Sequence, residues 1–319
     1  MYLRIYYIMK NKYLNLLIII INIIMFIEII LNNKIIYTTI NTSIDIWLHT
    51  LIPSLFPFFI ISDILIDYNI IYYIPNKIKY LLCKLFNITN SGLTVLLLSI
   101  LSGFPSNARN TRTLYDKKLI TKEEANHILM FTHFSNPLFI LTTVGTIFLN
   151  NYELGVVILI SHYLSNFILG LLLKNSYQIS KNINNTIKKD IPNIGTSITN
   201  SIKHALDTLF LIFGTLTIFL IISSIIINRL NLNNYNSMLL KGLLEITMGI
   251  KDLSMLNLSP LYKVIISTIL ISFGGLSVHM QVISQIINTN IKYKFFFRGR
   301  IYGTIISGIL SFVLYYIII

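Results

Sequence analysis

The chain has 319 residues, of which 54% are hydrophobic and 12% charged, and its formal net charge is +13. A soluble domain cannot bury that much apolar surface, so the composition excludes a water-soluble globular protein and points to a polytopic membrane protein. The basic excess does not mark a nucleic-acid partner, because the lysines and arginines flank apolar segments as topology signals do. One cysteine, Cys83, excludes an intrachain disulfide and a thiolate metal cluster.

The N-terminus has basic residues followed by an apolar run from Leu16 to Leu31. With no small-residue cleavage site and with Glu28 inside it, the run is read as a retained membrane helix and not a removed signal peptide. At roughly 20 apolar residues per span, candidates fall at 14–31, 46–67, 125–149, 153–173, 203–228, 262–287 and 300–319. The Lys/Arg-rich connections 1–12, 74–84, 109–122, 174–189 and 292–300 are placed on the cytoplasmic side.

The stretch LTVLLLSILSGFPSNARNTR, Leu93 to Arg112, breaks this simple scheme. Lys77, Lys79 and Lys84 precede it, and Arg109, Arg112, Lys117, Lys118 and Lys122 follow it, so both flanks belong on one side. From Gly92 to Gly103 a helix climbs only about 17 Å, roughly half of a hydrocarbon core. The spacing therefore predicts a re-entrant hairpin or broken helix that turns at Gly103, Phe104 and Pro105. Irregular backbone at that depth survives only inside protein or beside a polar cavity. The plainer alternative is a short buried helix ending on a surface loop.

A second break is expected in FTHFSNPLFILTTVG, where Asn136 is a good N-cap and Pro137 suits a first helical turn. A proline kink in a continuous span is the other reading. A third falls in SFGGLSVHMQV, where Gly274 and Gly275 interrupt the apolar run from Val264.

The chain also matches itself. The segment from Ser43 aligns with that from Ser201, with identities at Ser43/Ser201, Ile44/Ile202, Leu48/Leu206, Thr50/Thr208 and Leu51/Leu209. The same offset (201 − 43 = 158) sets LLCKLFNIT, from Leu81, on LLKGLLEIT, from Leu239. With extra residues inserted, SGFPSNA falls on GGLSVHM. An odd number of spans between the copies inverts the second, as in many secondary transporters. Strict symmetry strands Lys292, Lys294, Arg298 and Arg300 outside, unless 262–287 crosses fully or the symmetry is imperfect. The fold expected is all-α, with two related, inverted repeats and broken or re-entrant helices. The divisions are an N-terminal helix and linker (1–42), a first repeat (43–173), a basic cytoplasmic linker (174–200), a second repeat (201–290) and a C-terminal helix (291–319).

Helix N-termini at the breaks present free N–H groups and partial positive charge to an anion. Arg109 can grip a carboxylate there if it points inward, or act as a cytoplasmic anchor if it does not. Ser102, Ser106, Asn107, Ser135, Asn136 and Ser277 offer short polar contacts. Glu245, in an apolar stretch, is expensive unless paired, protonated or wet. It is read as a coupling site for a proton or cation, as a partner of Arg109 or His279, or as lying in water at the interface. His279 is a candidate proton relay, His133 a similar one, and His162 a weaker one. No HExxH, phosphate-binding loop or GxSxG elbow occurs, so neither an enzyme, a metal site nor a cofactor is expected.

Together, LSGFPSNAR, SNPLFILTTVG, LLEITMGI and FGGLSVHMQV resemble the YlbJ-like sporulation integral membrane proteins over roughly Ile44 to Val282. That family is grouped with the nucleoside recognition, or Gate-type, membrane domains. Its first motif usually reads Ser-Gly-Tyr-Pro-x-Gly-Ala-Lys; Phe104, Asn107 and Arg109 depart from it here. The resemblance implies a cell-membrane transporter of the mother cell that moves dipicolinic acid, a small aromatic dicarboxylate, toward the forespore. It leaves open a nucleoside or nucleobase carrier and a non-transporting scaffold for the spore envelope. The partners implied are the lipid bilayer, a small-molecule substrate, and a further copy or other sporulation membrane proteins.

Overall fold

The computed structural model describes residues 2–175 and 192–319; residues 176–191, most of the predicted basic linker, lie outside the described residues, as do the side chains of 1–12. Every regular element among the described residues is helical. That is what lipid demands, since a segment there must satisfy its own N–H and C=O groups. Six segments are long and apolar enough to cross a membrane: Tyr13–Leu31, Asn33–Asp67, Tyr152–Leu172, Ile194–Leu230, Pro260–Ile286 and Tyr293–Ile318. This is a multi-pass membrane protein.

Helix α1 (Tyr2–Leu31) leads into α2 (Asn33–Ile46), which continues through a π-helical turn into α3 (Ile52–Asp67). Then come α4 (Asn76–Phe86), α5 (Asn90–Ser102), α6 (Ser106–Asp116) and α7 (Lys122–Phe131). A ten-residue π-helix, Phe139–Phe148, precedes α8 (Tyr152–Leu172). The second part holds α9 (Ile194–Leu230), α10 (Asn234–Leu244), α11 (Ile246–Met255), α12 (Pro260–Phe273), α13 (Gly275–Ile286) and α14 (Tyr293–Ile318).

Helices α2 and α3 run antiparallel to α9, the two carrying the matched segments from Ser43 and Ser201. Thr39 meets Ser224, the Trp47 indole donates to the Leu209 carbonyl, and Ser197 donates to Asp67. At one end Arg229 of α9 grips the Glu28 carboxylate of α1 with two bonds of 2.9 and 2.6 Å. The basic connections 74–84, 109–122 and 292–300 gather at the other end. There the Asn87 amide donates to the Lys174 carbonyl, Thr89 N–H to Glu124, and Lys292 N–H to Asn126.

Between these long helices lie four short ones that cannot cross. At 1.5 Å per residue, α5, α6, α10 and α11 climb about 15–20 Å each. Helices α5 and α6 form the predicted hairpin, entering and leaving at the lysine-rich end, since Thr89 and Glu124 touch. Helix α4 meets α5 at 89° and exposes Tyr80 and Leu81, as a helix lying along an interface does. A second hairpin, α10–α11, opens toward the opposite end. Its arms close through Gly242 on Gly249 and through Lys241 on Asp252 at 2.6 Å, and its tip is Glu245.

Two readings left open by the sequence are decided, and one expectation is corrected. The span read at 125–149 is not one kinked helix: α7 ends at Phe131, the chain is unwound over 132–136, and a π-helix resumes. The stretch 262–287 does not turn back at Gly274; α12 and α13 run on end to end, which keeps Lys292, Lys294 and Arg298 at the lysine-rich end. Arg300, expected in a cytoplasmic connection, is fully buried because α14 already begins at Tyr293.

Candidate functional site

The four breaks meet. Phe104 from the first hairpin tip, Ser135 and Asn136 from the unwound stretch, Glu245, Ile246 and Thr247 from the second tip, and Val278 and Gln281 beyond Gly274 line one cavity of ≈ 40 Å³. Leu51, Leu55, Phe139 and Ile212 supply its apolar wall. That volume holds about two or three waters, so a ring-sized solute does not fit this conformation.

Asn136 welds two breaks together. Its Oδ1 accepts from Leu138 N–H at 2.8 Å and Phe139 N–H at 3.3 Å, the N-cap expected from sequence. Its Nδ2 donates to the Leu101 carbonyl at 3.2 Å, at the end of α5. Tyr163 of α8 reaches the Ile100 and Ser135 carbonyls at 2.8 and 2.9 Å. Gly103 sits against this joint with φ +74°, and a Cβ there would lie 2.5 Å from the Asn136 backbone nitrogen. Gly103→Ala is expected to destabilise the protein by roughly 1–3 kcal/mol. Gly214→Ala, with nothing within 4 Å of the added carbon, is expected to be neutral. Melting of both variants in detergent checks this, and equal midpoints would contradict it.

Glu245 is 4% exposed, which removes the reading that it lies in water. It pairs with neither Arg109 nor His279. Its carboxylate caps α11 by accepting Met248 N–H at 2.9 Å. The partial positive charge of a helix N-terminus is its counter-charge, and no cation pairs with it among the described residues.

Arg109 does not line the cavity. It pairs with Asp63 and also donates to the His204 carbonyl and Thr208 Oγ1, both at 3.3 Å. His204 Nδ1 lies 3.4 Å from the other Asp63 oxygen. These residues line a separate open cleft of ≈ 510 Å³ toward the lysine-rich end, with Arg112, Lys117 and Asp207 on its walls. His279 is spoken for as well: Nδ1 meets the Tyr293 hydroxyl at 2.7 Å and Nε2 the Phe273 carbonyl at 3.0 Å. A carbonyl only accepts, so Nε2 carries the proton and Nδ1 accepts from Tyr293. A ring held at both nitrogens is a poor relay.

The other predicted residues divide. Ser102 bonds back to the Leu98 carbonyl at 2.8 Å. Pro137 opens the first turn after Asn136, and Gly274 and Gly275 hold φ of +94° and +62° at the break. Ser106 Oγ, both side-chain polar atoms of Asn107 and Ser277 Oγ are buried with no hydrogen-bond partner among the described residues. A buried amide with neither end satisfied needs an explanation, and a polar ligand or water supplies one.

Sequence reasoning ranked His162 of α8 low and missed Asn166 and the role of Arg300 on α14. His162 Nε2 accepts Ser135 N–H at 3.0 Å, and its Nδ1 donates to Ser272 Oγ at 2.8 Å. Asn166 donates to the His133 carbonyl at 2.9 Å and accepts from Arg300 at 3.2 Å. The signal was a polar pair four apart on one face of an apolar helix. Neither ring nitrogen of His133 has a hydrogen-bond partner among the described residues, but the ring stacks on Phe104, with centroids 4.6 Å apart.

With this geometry in place, comparison with known proteins can be read. Residues 48–152, which include the first hairpin tip and the unwound stretch, match the Gate family, described as nucleoside recognition. Over 311 residues the chain is 26% identical to the sporulation integral membrane protein YlbJ of Bacillus subtilis (strain 168), covering 86% of this chain and 76% of that protein. The chain is similar to YlbJ. The similarity to YlbJ extends well beyond the Gate match, so it takes in elements of both hairpins, and the resemblance read from the motifs holds. No solved structure matches.

Proposed function

We propose that the protein is a secondary carrier of a small heteroaromatic metabolite, built from two related halves of opposite direction. The supporting observation is the convergence of four helix breaks, entering from both ends, on one small cavity lined by both polar and apolar side chains. Each half runs long helix, short hairpin, broken span, long helix, the plan of carriers whose site lies near the midplane. The chain performs no covalent chemistry, and an ion or solute gradient drives it. Glu245 takes up and releases the coupling proton or cation, moving on and off the α11 N-terminus.

Within that reading the chemistry of the lining suits a neutral nucleoside or nucleobase best, taken up in a conformation with a wider cavity. The cavity is walled by Phe104 and Phe139, carries amides on Asn136 and Gln281, and has an acid but no cation. A dicarboxylate placed there faces Glu245. The match to a family described as nucleoside recognition supports the same choice. Dipicolinic acid is the second reading, favoured by the similarity to a protein named for sporulation. It gives Arg109 and Arg112 in the open cleft the first contact with the anion.

Proteoliposomes holding the full chain test this. Labelled nucleosides are expected to enter above empty vesicles, and Asn136→Ala is expected to reduce entry at least roughly ten-fold, as loss of a welded joint in the site does. Arg109→Gln is expected to hurt dipicolinate far more than nucleoside. Movement of dipicolinate alone would select the second reading, and movement of neither would leave the scaffold.

A further inference from the structure

A second cleft of ≈ 510 Å³ opens between α7 and the start of α14, away from the cavity of the breaks. Lys122, Lys292, Lys294 and Arg298 line it against one acid, Glu123. None of these four cations has an ion-pair partner among the described residues. Four like charges around one hollow repel unless an anion joins them, and a phosphate with several acceptor oxygens suits both lysine and arginine. Asn126 and Tyr302 add polar groups to the wall.

The surroundings tell which phosphate. Leu173 and Phe295 line the cleft itself, and next to it Leu172, Phe297, Ile301 and Ile305 are exposed at 70, 41, 38 and 58%. An apolar belt of that kind faces acyl chains. The cleft also lies at the lysine-rich end, the side that the charge bias puts in the cytoplasm, where acidic lipids attract basic clefts between helices. We propose that this cleft binds the phosphate headgroup of an acidic phospholipid, with the tails lying along α14. The site bears on the fold, because Gly299 packs directly on the Met130 backbone at the seam that the cleft borders.

The test uses the purified full chain with vesicles of phosphatidylglycerol in phosphatidylcholine, and reads the lipid retained on the protein by native mass spectrometry. Phosphatidylglycerol is expected to be retained over phosphatidylcholine. The double variant Lys292→Gln/Arg298→Gln, on exposed positions, is expected to lose that preference about ten-fold or more, at roughly a few-fold per removed charge. Lys292→Arg/Lys294→Arg is expected to keep it, with unchanged melting as the check on folding. Equal retention of both lipids, or no effect of the charge removal, would overturn the proposal. Displacement of the lipid by inorganic phosphate would overturn the lipid as the source, leaving a soluble phosphate compound.

Discussion

Replacing Arg300 by methionine is expected to lower the stability of the folded protein by about 1–3 kcal/mol, the cost of leaving its buried acceptors without a donor. The guanidinium is wholly buried, and no carboxylate pairs with it among the described residues. It donates to the Met130 carbonyl at 2.8 Å, to Asn166 Oδ1 at 3.2 Å and to the Ser272 carbonyl at 3.3 Å, and it lies over the Phe296 ring at 5.5 Å. Met130 and Ser272 sit in the last turns of α7 and α12, where helix dipoles leave partial negative charge. Two helix ends thus stand in for a counter-ion, and one arginine ties both broken spans to α14. Methionine conserves volume but orphans these acceptors, and lysine has no planar fork to reach them together. Thermal melting in detergent checks this. A methionine variant that melts with the native protein would show that the fork holds nothing.

The second large effect is expected at Glu245. Glu245→Gln keeps the side-chain shape and retains an amide oxygen toward Met248 N–H, so the helix cap weakens by only about 1 kcal/mol. Removing the charge, however, removes the one acid in the cavity, and intramembrane acids of this kind serve ion movement. Gradient-driven uptake in proteoliposomes is expected to fall at least roughly ten-fold, while exchange of labelled for unlabelled solute across vesicles without a gradient persists. Loss of both in a well-folded variant would make Glu245 a substrate contact. Retention of both would take it out of the carrier cycle.

Arg300 and Glu245 follow one rule, and it explains what a reading of the chain gets wrong. In sequence, Glu245 looked in need of a basic partner, so Arg109 and His279 were named. In the fold its partner is the N-terminus of α11, backbone that carries no mark in the sequence. Arg300 looked like one more cytoplasmic cation because it follows Lys292, Lys294 and Arg298. Only the packing of α14 against α7 and α12 carries it inward. The turn at Gly103 and the cap at Asn136 were legible because glycine, proline and asparagine act on their own neighbours, through φ angles and local N–H groups.

By itself the sequence determined that the chain crosses the membrane repeatedly, where its lysines gather, and that regular helix fails at Gly103, Asn136 and Gly274. These follow from hydrophobic length, charge and local backbone preference, which act within a few residues. Tertiary structure alone decided that the failures share one cavity, that Arg109 stands outside it beside Asp63, and that helix ends balance the buried charges. Those outcomes depend on which distant segments touch, and in a chain this uniformly apolar the residues that choose the contacts are too few and too far apart to be read in line.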